Sequence, residues 1–316
     1  TRRAWGRRIN EFFDALKSAL LSLYEGILRE HSIDAVVFEN VSDTFAYFAW
    51  YACQHNDVAY CGITTSRLPG RYTVTNDPQG ESHRIAGNLE AIENGSTKVP
   101  TEVTAWCEDY IANIDKIVPD YMRFNNLDNV SLLSRFDTAD KLRVWTGALR
   151  FAGGDHTHSF KVGNPLTRRA QAFRRAISRR MRARGLRRYY SEPDKADRYL
   201  LYPLHLHPEA STSVLSPTYL DEYEVIRNIA FNLPEGVKLY VKDHVSAFGV
   251  PGNAFYESIA RLPNVKFIQP FAPTKELIRG SLAVVTLTST VGYEALQLGK
   301  RVFLFGNVFY EIHEHV

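Results

Sequence analysis

Short apolar runs that stop abruptly at charged or hydroxylic residues recur along the chain, each followed by a helix-patterned stretch. Few folds accommodate that alternation. Ile33–Phe38 stops at Glu39-Asn40-Val41-Ser42-Asp43 and precedes an alanine- and aromatic-rich helix pattern over Thr44–Gln54. Val58–Ile63 leads into Ser66-Arg67-Leu68-Pro69-Gly70-Arg71. The rhythm returns later, with strands predicted at Tyr199–Leu204, Val237–Val241, Val265–Ile268, Leu282–Leu287 and Val302–Phe305. Between them helices are predicted at Asp221–Asn232, Asn253–Leu262, Thr274–Arg279 and Val291–Leu298. Apolar runs without polar alternation, joined by helices, are the pattern of buried parallel strands with helices on both faces. The chain has 316 residues, 45% of them hydrophobic, which is material for two cores. The predicted fold is α/β, with two doubly wound, Rossmann-like domains that take ligands between them, outside the carboxyl ends of the strands.

Other stretches set the boundaries. Ile9, Phe13, Leu16, Leu20, Leu23 and Ile27 follow helical spacing over residues 5–30. Residues 75–100 are rich in Asn, Gly and Pro and read as a long loop, with helix patterns resuming over Glu102–Ile117 and Ala139–Phe151. Between Asp155 and Glu192 there is no acidic residue, while Lys161, Arg168, Arg169, Arg174, Arg175, Arg179, Arg180, Arg182, Arg184, Arg187 and Arg188 crowd the same stretch. Asn164-Pro165 supplies an N-cap and a first-turn proline. Leu166, Ala170, Phe173, Ile177 and Met181 form one apolar stripe, so a basic amphipathic helix is predicted that ends near Gly185. The expected division is 1–155, a basic arm over 156–197, and 198–316.

Bulk properties narrow the classes. A formal net charge of +3 rules out a polycation as a whole. Cys53, Cys61 and Cys107 have no paired or metal-ligand spacing and read as buried thiols of a reducing compartment. No apolar run approaches the ~20 residues that span a bilayer, and no signal-peptide core is visible at the N-terminus. Thr1 in place of Met suggests a trimmed chain, with residues missing at both ends. The expected setting is cytoplasmic, with a peripheral position on the inner membrane open to it.

Three segments carry candidate chemistry. Val285-Thr-Leu-Thr-Ser-Thr-Val-Gly-Tyr-Glu-Ala-Leu-Gln-Leu-Gly-Lys300 reads as strand, hydroxyl-rich turn and helix. Thr288, Ser289 and Thr290 fall where free backbone N–H groups and the positive end of the helix dipole favour a phosphate. Gly292 permits close backbone approach, and Glu294 is placed to reach a ribose hydroxyl. Ser and Thr are also ordinary helix caps, and Glu an ordinary first-turn residue. The strand Leu239-Tyr-Val-Lys-Asp-His244 ends in Lys242, Asp243 and His244, where charged groups point into a ligand crevice or simply form a solvated turn. Tyr202-Pro-Leu-His-Leu-His-Pro-Glu-Ala-Ser-Thr-Ser213 brings His205, His207 and Glu209 to another strand end. This mixture suits hydrogen bonding to a sugar or phosphate better than zinc, because spacing fixes no third ligand.

These motifs, with Phe305-Gly-Asn-Val-Phe-Tyr310, resemble in their order those of the bacterial capsule polysaccharide biosynthesis family. That family includes β-Kdo transferases and is related in style to bacterial sialyltransferases. The resemblance implies a GT-B-like architecture, its two domains facing a central cleft, and a CMP-activated acidic sugar as donor. It covers about 115 residues of the C-terminal part closely and the N-terminal part loosely. Carried over residue by residue, His244 resembles the histidine of a His-Pro motif that contacts CMP, although Val245 stands where the family has proline. Ser289 and Thr290 resemble the hydroxyl pair on the donor phosphate, and Glu294 the carboxylate that holds the nucleotide.

Toward the N-terminus, Glu39 and Asp43 at the end of the first strand are candidate general bases for an acceptor hydroxyl, or caps of the next helix. Glu209 is a third candidate base. Arg67 and Arg71, with His205 and His207, are candidates for gripping acidic sugars and phosphates. The expected function is transfer of an acidic sugar, Kdo preferred, from a CMP-sugar to a glycan or glycolipid acceptor. No metal or cofactor is expected. The arm, Arg168–Arg188, would meet an anionic inner-membrane surface or an acidic glycolipid. One alternative keeps the fold and uses a UDP- or GDP-sugar, as a transferase or epimerase. Another is a non-enzymatic membrane or nucleic-acid binder, though basic residues without interleaved aromatics argue against nucleic acid.

Overall fold

A computed structural model describes residues 2–77, 81–117, 146–147, 149–150, 164–207 and 209–316. In chain order the first elements are α1 (Arg2–His31), β1 (Ala35–Glu39), α2 (Thr44–His55), β2 (Ala59–Thr65), β3 (Tyr72–Thr75), α3 (Glu81–Glu93) and α4 (Thr101–Ala112). Then come α5 (Pro165–Leu186), β4 (Arg198–Pro203), α6 (Ala210–Ser213), α7 (Glu222–Phe231) and β5 (Val237–Lys242). The last are α8 (Asn253–Ala260), β6 (Val265–Ile268), α9 (Thr274–Gly280), β7 (Ala283–Thr286), α10 (Thr290–Gln297) and β8 (Arg301–Leu304). The chain divides into two compact units. The first holds Thr1–Tyr121, His207–Leu220 and Ala283–Val316, and the second holds Met122–Leu206 and Asp221–Leu282.

In the second unit β6, β5 and β4 lie side by side, all parallel, with Leu239 opposite both Leu200 and Val265. Leu201, Tyr202, Leu239, Tyr240, Val241 and Ile268 are fully buried, as apolar runs without alternation require. Helix α7 starts where Asp221 accepts a hydrogen bond from the Glu224 N–H (3.3 Å), and it buries Val225, Ile226 and Ala230. The basic helix α5 also forms as expected. Asn164 accepts from the N–H groups of Leu166 (2.9 Å) and Thr167 (3.4 Å), Pro165 fills the first turn, and the helix ends at Leu186. The α/β class expected from the sequence is what the structure shows.

In the first unit β1 and β2 are parallel, and β3 adds an antiparallel strand on the far side of β2. Leu28, Val41, Ala49, Ala52, Cys53 and Tyr60 form the core between α1, α2 and these strands. At the other end of this unit's sequence, β7 and β8 pair in parallel, with α10 packed on both.

Several expectations are corrected here. Residues 75–100 are not one long loop: they contain α3. Ile85, Leu89 and Ile92 give α3 a helical spacing that Gly87-Asn88 obscures, and the chain turns at Gly95 (φ 75°). The first strand is parallel but not buried, with Val37 65% and Phe38 47% exposed. It is an edge strand of its sheet, and a position at the edge removes one source of cover. Of the three thiols only Cys53 is buried, and Cys107 is exposed because α4 buries none of its residues fully. The helix predicted over Ala139–Phe151 lies mostly outside the described residues. Among the described residues no helix is long and apolar enough to cross a membrane.

Candidate functional site

In the second unit the carboxyl ends of three parallel strands are held level. The Leu204 N–H donates to Lys242 O (2.9 Å), and the Asp243 N–H donates to Ile268 O (2.9 Å). The residues just past β4 and β5 therefore come together. Glu222, in the first turn of α7, accepts from the backbone N–H of His205 (2.9 Å), from its ring Nδ1 (2.8 Å) and from the Tyr202 hydroxyl (3.3 Å). His205 is thus turned inward and buried on a carboxylate. Lys242 is buried too, its Nζ donating to Pro270 O at 2.7 Å.

Asp243 accepts from the Tyr190 hydroxyl (2.6 Å) and from the His244 N–H (2.8 Å). Burial pushes its carboxyl up to about 6, against the pull of those two bonds and of Lys242. His244 is the outermost of the three. Its Nδ1 accepts from the backbone N–H groups of Ser246 (3.1 Å) and Ala247 (3.3 Å). A ring nitrogen that accepts carries no proton, so the neutral ring bears its hydrogen on Nε2 and offers a single fixed donor. Burial first, then the charges of His205 and Lys242, holds the ring down to about 4.

In the first unit β7 runs into the start of α10. Ser289 is the N-cap, its hydroxyl accepting from the Val291 N–H (3.2 Å), while its own N–H donates to Thr286 Oγ1 (3.1 Å). Thr288 is buried. The close approach that Gly292 permits is taken by Tyr310, whose hydroxyl donates to Ser289 O at 2.6 Å. A β-carbon on Gly306 would lie 2.7 Å from Thr288 Cγ2 and 2.8 Å from Leu215 O, so the Phe305–Tyr310 segment wraps closely around this helix start. Thr290 and Glu294 face a recess with Arg67, Tyr110, Tyr293, Ile114 and Ile117. Tyr110 is pushed up by burial, opposed by a hydrogen bond with Gln297 and reinforced by the nearby charge of Glu294.

Arg67 and Arg71 flank the β2–β3 turn, closed by the Ser66 N–H to Arg71 O bond (2.9 Å). Arg71 lies over the Trp106 ring at 4.7 Å, and Trp106 stacks on Tyr110 at 5.3 Å. Arg67 faces the recess, and it also acts on Glu81, whose carboxyl is raised by burial while Arg84 and Arg67 oppose that rise. Asp43 is the cap that one sequence reading made it, with Oδ1 accepting from the Ala46 N–H (3.0 Å). Glu39 is exposed at the end of β1, and its backbone oxygen accepts from the Tyr60 hydroxyl (2.8 Å). Glu209 is exposed at the N-cap of α6 and accepts from the Ser211 hydroxyl (3.0 Å). His207 Nδ1 stands 3.4 Å from Thr212 Oγ1. Thus His205, Lys242 and His244 share the second unit, and the other candidates belong to the first. Among the described residues no three His, Cys, Asp or Glu side chains gather as a metal site would need.

Sequence reasoning missed Glu222, Tyr190, Tyr110, Tyr293 and Gln297. Glu222 stands in the first turn of α7 beside Glu224, and nothing in spacing tells which first-turn carboxylate turns inward. Trp106 and Tyr110, four residues apart on α4, were the available signal for a second aromatic face.

Residues 135–313 match the family model described as "Capsule polysaccharide biosynthesis protein". The chain belongs to that family. Within it, a stretch of 136 residues is 31% identical to Protein FixF of Sinorhizobium fredii, covering 42% of this chain and 32% of that protein. The chain thus spans about a third of that relative's length. Among solved structures, the KpsC beta-Kdo 2,4 transferase of Thermosulfurimonas dismutans aligns over 89% of this chain and 71% of its own, at 16% identity and a TM-score of 0.49. The KpsC beta-Kdo 2,7 transferase of the same organism aligns over 91% and 70%, at 14% identity and a TM-score of 0.42.

Proposed function

We propose that this capsule-family chain is a GT-B-like glycosyltransferase of surface or capsular polysaccharide synthesis. It transfers an acidic sugar, Kdo first among the candidates, from a CMP-sugar to a glycan or glycolipid acceptor. The observation that carries this reading is His244: a neutral imidazole just past a strand's carboxyl end, its Nδ1 held by two backbone N–H groups so that its one N–H is at Nε2, with the charge of Lys242 acting on the ring. Such a group donates to a phosphate or base edge without itself titrating near neutral pH.

In the transfer, the acceptor oxygen bonds to the anomeric carbon as the bond from that carbon to the donor phosphate oxygen breaks. CMP leaves with the electron pair, and the acceptor's hydroxyl proton passes to a carboxylate. His244 is proposed as a donor fixed in advance that stabilises the departing phosphate, and Ser289 and Thr290 at the start of α10 are proposed as donor-binding residues. Thr288, Gly292 and Glu294 belong to the same proposed donor set. Glu39 and Glu209, both exposed, are the proposed bases ahead of Asp43, whose Oδ1 already caps α2. Arg67, Arg71, His205 and His207 are proposed for substrate binding. In this reading 1–155 serves the acceptor, 198–316 the donor, and the arm of 156–197 an anionic membrane surface or acidic glycolipid.

Calorimetric titration of the full chain with CMP, UMP and GDP tests the donor. CMP is expected to bind best, and His244→Ala to weaken it about tenfold, as losing a bond to a charged group does. Equal binding of all three, or none of CMP, would overturn the reading.

A further inference from the structure

The arginines of α5 fall into two sets. Arg174 and Arg184 are exposed, on the same side as Ile177 and Met181. Arg179 and Arg182 are turned the other way, onto the loop that follows β5. Arg179 donates from Nε to Phe248 O (2.6 Å), and from Nη2 to Ser246 O (2.8 Å) and Val245 O (3.5 Å). Arg182 Nη1 donates to Val250 O (3.0 Å) and Pro251 O (3.2 Å). The helix sits directly on this loop: Gly249, at φ 73°, has its missing β-carbon position 3.0 Å from Arg179 O. Any side chain there would lift the helix away.

Two of these carbonyls have partners on their other side. The Val245 C=O and the Ser246 N–H belong to one peptide plane, as do the Ser246 C=O and the Ala247 N–H. Arg179 takes both carbonyls, and His244 Nδ1 takes both N–H groups. The guanidinium and the imidazole therefore grip the same two peptide planes from opposite ends. Rotating either plane would break a bond at each end together. We propose that Arg179 is a positioning residue for His244: through the peptide planes at 245–246 and 246–247 it fixes the ring's orientation and keeps its proton on Nε2. The forked, planar donor set of arginine suits this task, and a lysine's single point of charge does not. Arg182 grips carbonyls whose peptide planes make no bond to His244, so it holds the loop but not the ring.

The consequence for nucleotide binding rests on the proposed function, but the positioning itself does not. Long-range proton–nitrogen NMR of the full chain with labelled histidine reads the tautomer with no ligand present. His244 is expected as the Nε2–H form, titrating near 4. Arg179→Ala is expected to give a mixture of tautomers and to move the titration up toward the ordinary histidine range. Arg179→Lys keeps the charge and the packing of the stem, and is expected to show the same loss of tautomer should the alanine variant not fold. Arg182→Ala is expected to leave the tautomer alone. An unchanged His244 in both Arg179 variants, or an equal change in Arg182→Ala, would overturn the proposal. CMP titration adds the functional arm. Arg179→Ala is expected to lose about tenfold in affinity, but less than about twofold when His244 is already alanine. Equal losses in both backgrounds would mean that Arg179 acts on folding alone. Failure of the wild-type chain to bind CMP, with the tautomer change present in the Arg179 variants, would sink the donor reading and leave the positioning role standing.

Discussion

A tyrosine hydroxyl stands 2.5 Å from where residue 292 would carry its β-carbon, with Thr286 Cγ2 at 3.1 Å. Tyr310 is 5% exposed and its hydroxyl is bonded to Ser289 O, so it has little room to retreat. Gly292→Ala is expected to destabilise by about 1–3 kcal/mol, the usual result of overpacking a well-filled interior. A lowered thermal midpoint, partly restored by adding Tyr310→Phe, is the expected reading. No change would show that Tyr310 has another place to go. The glycine was legible in the sequence as a point of close approach, but its visitor was not. A partner 18 residues further along leaves no mark in local spacing. Glu222 makes the same point: three donors converge on a carboxylate that the sequence presents as one more acid in a first turn.

At the end of β5 two neighbouring groups are shifted in opposite senses. Asp243 is raised to about 6, so its contribution is fully present below the unfolded carboxyl value of 3.8 and is lost as pH rises through 6. His244 is lowered to about 4, so its contribution is present above the unfolded value of 6.5 and is lost as pH falls through 4. Between pH 4 and 6 the two slopes oppose and largely cancel. Replacing His244 by Asn removes one of them, and the thermal midpoint of that variant is expected to rise as pH falls from 6 to 4. A midpoint as flat as the wild type's over that range would show that Asp243 titrates lower. The strand that ends in these residues was readable to within one position, because a mainly apolar run with helices on either side has few alternatives. By contrast, β1 has the same apolar texture but sits at a sheet edge, and texture does not say how many neighbours a strand has. Helix α3 was hidden because glycine and asparagine in mid-helix outweighed its acidic first turn.

Over the whole chain, the basic arm gives a test that local geometry does not. Arg174 and Arg184 are exposed beside Ile177, 45% exposed, and Met181, 68% exposed, whereas Arg179 and Arg182 are engaged by carbonyls. Replacing the outward pair with Ala is expected to weaken binding to anionic lipid vesicles by roughly 1 kcal/mol per charge at low salt. Affinity for CMP should stay unchanged. Equal loss of vesicle and nucleotide binding would mean that the two faces of the helix are not separate. The charge run was plain in the sequence, but its division into inward and outward arginines depends on a loop some seventy residues away.

The first unit is assembled from three separated stretches, 1–121, 207–220 and 283–316, with both pieces of the second unit lying between them in chain order. During synthesis both pieces of the second unit emerge before residue 283 does. Contacts across so wide a sequence gap close slowly, since loop entropy must be overcome before they form. The second unit is therefore expected to gain protection against hydrogen exchange first in a pulse-labelling refolding experiment, and α10 together with its Tyr310 wrap last. Simultaneous protection of both units would rule out that order. The helix start that carries Ser289 and Thr290 would then be the last part of the protein to mature.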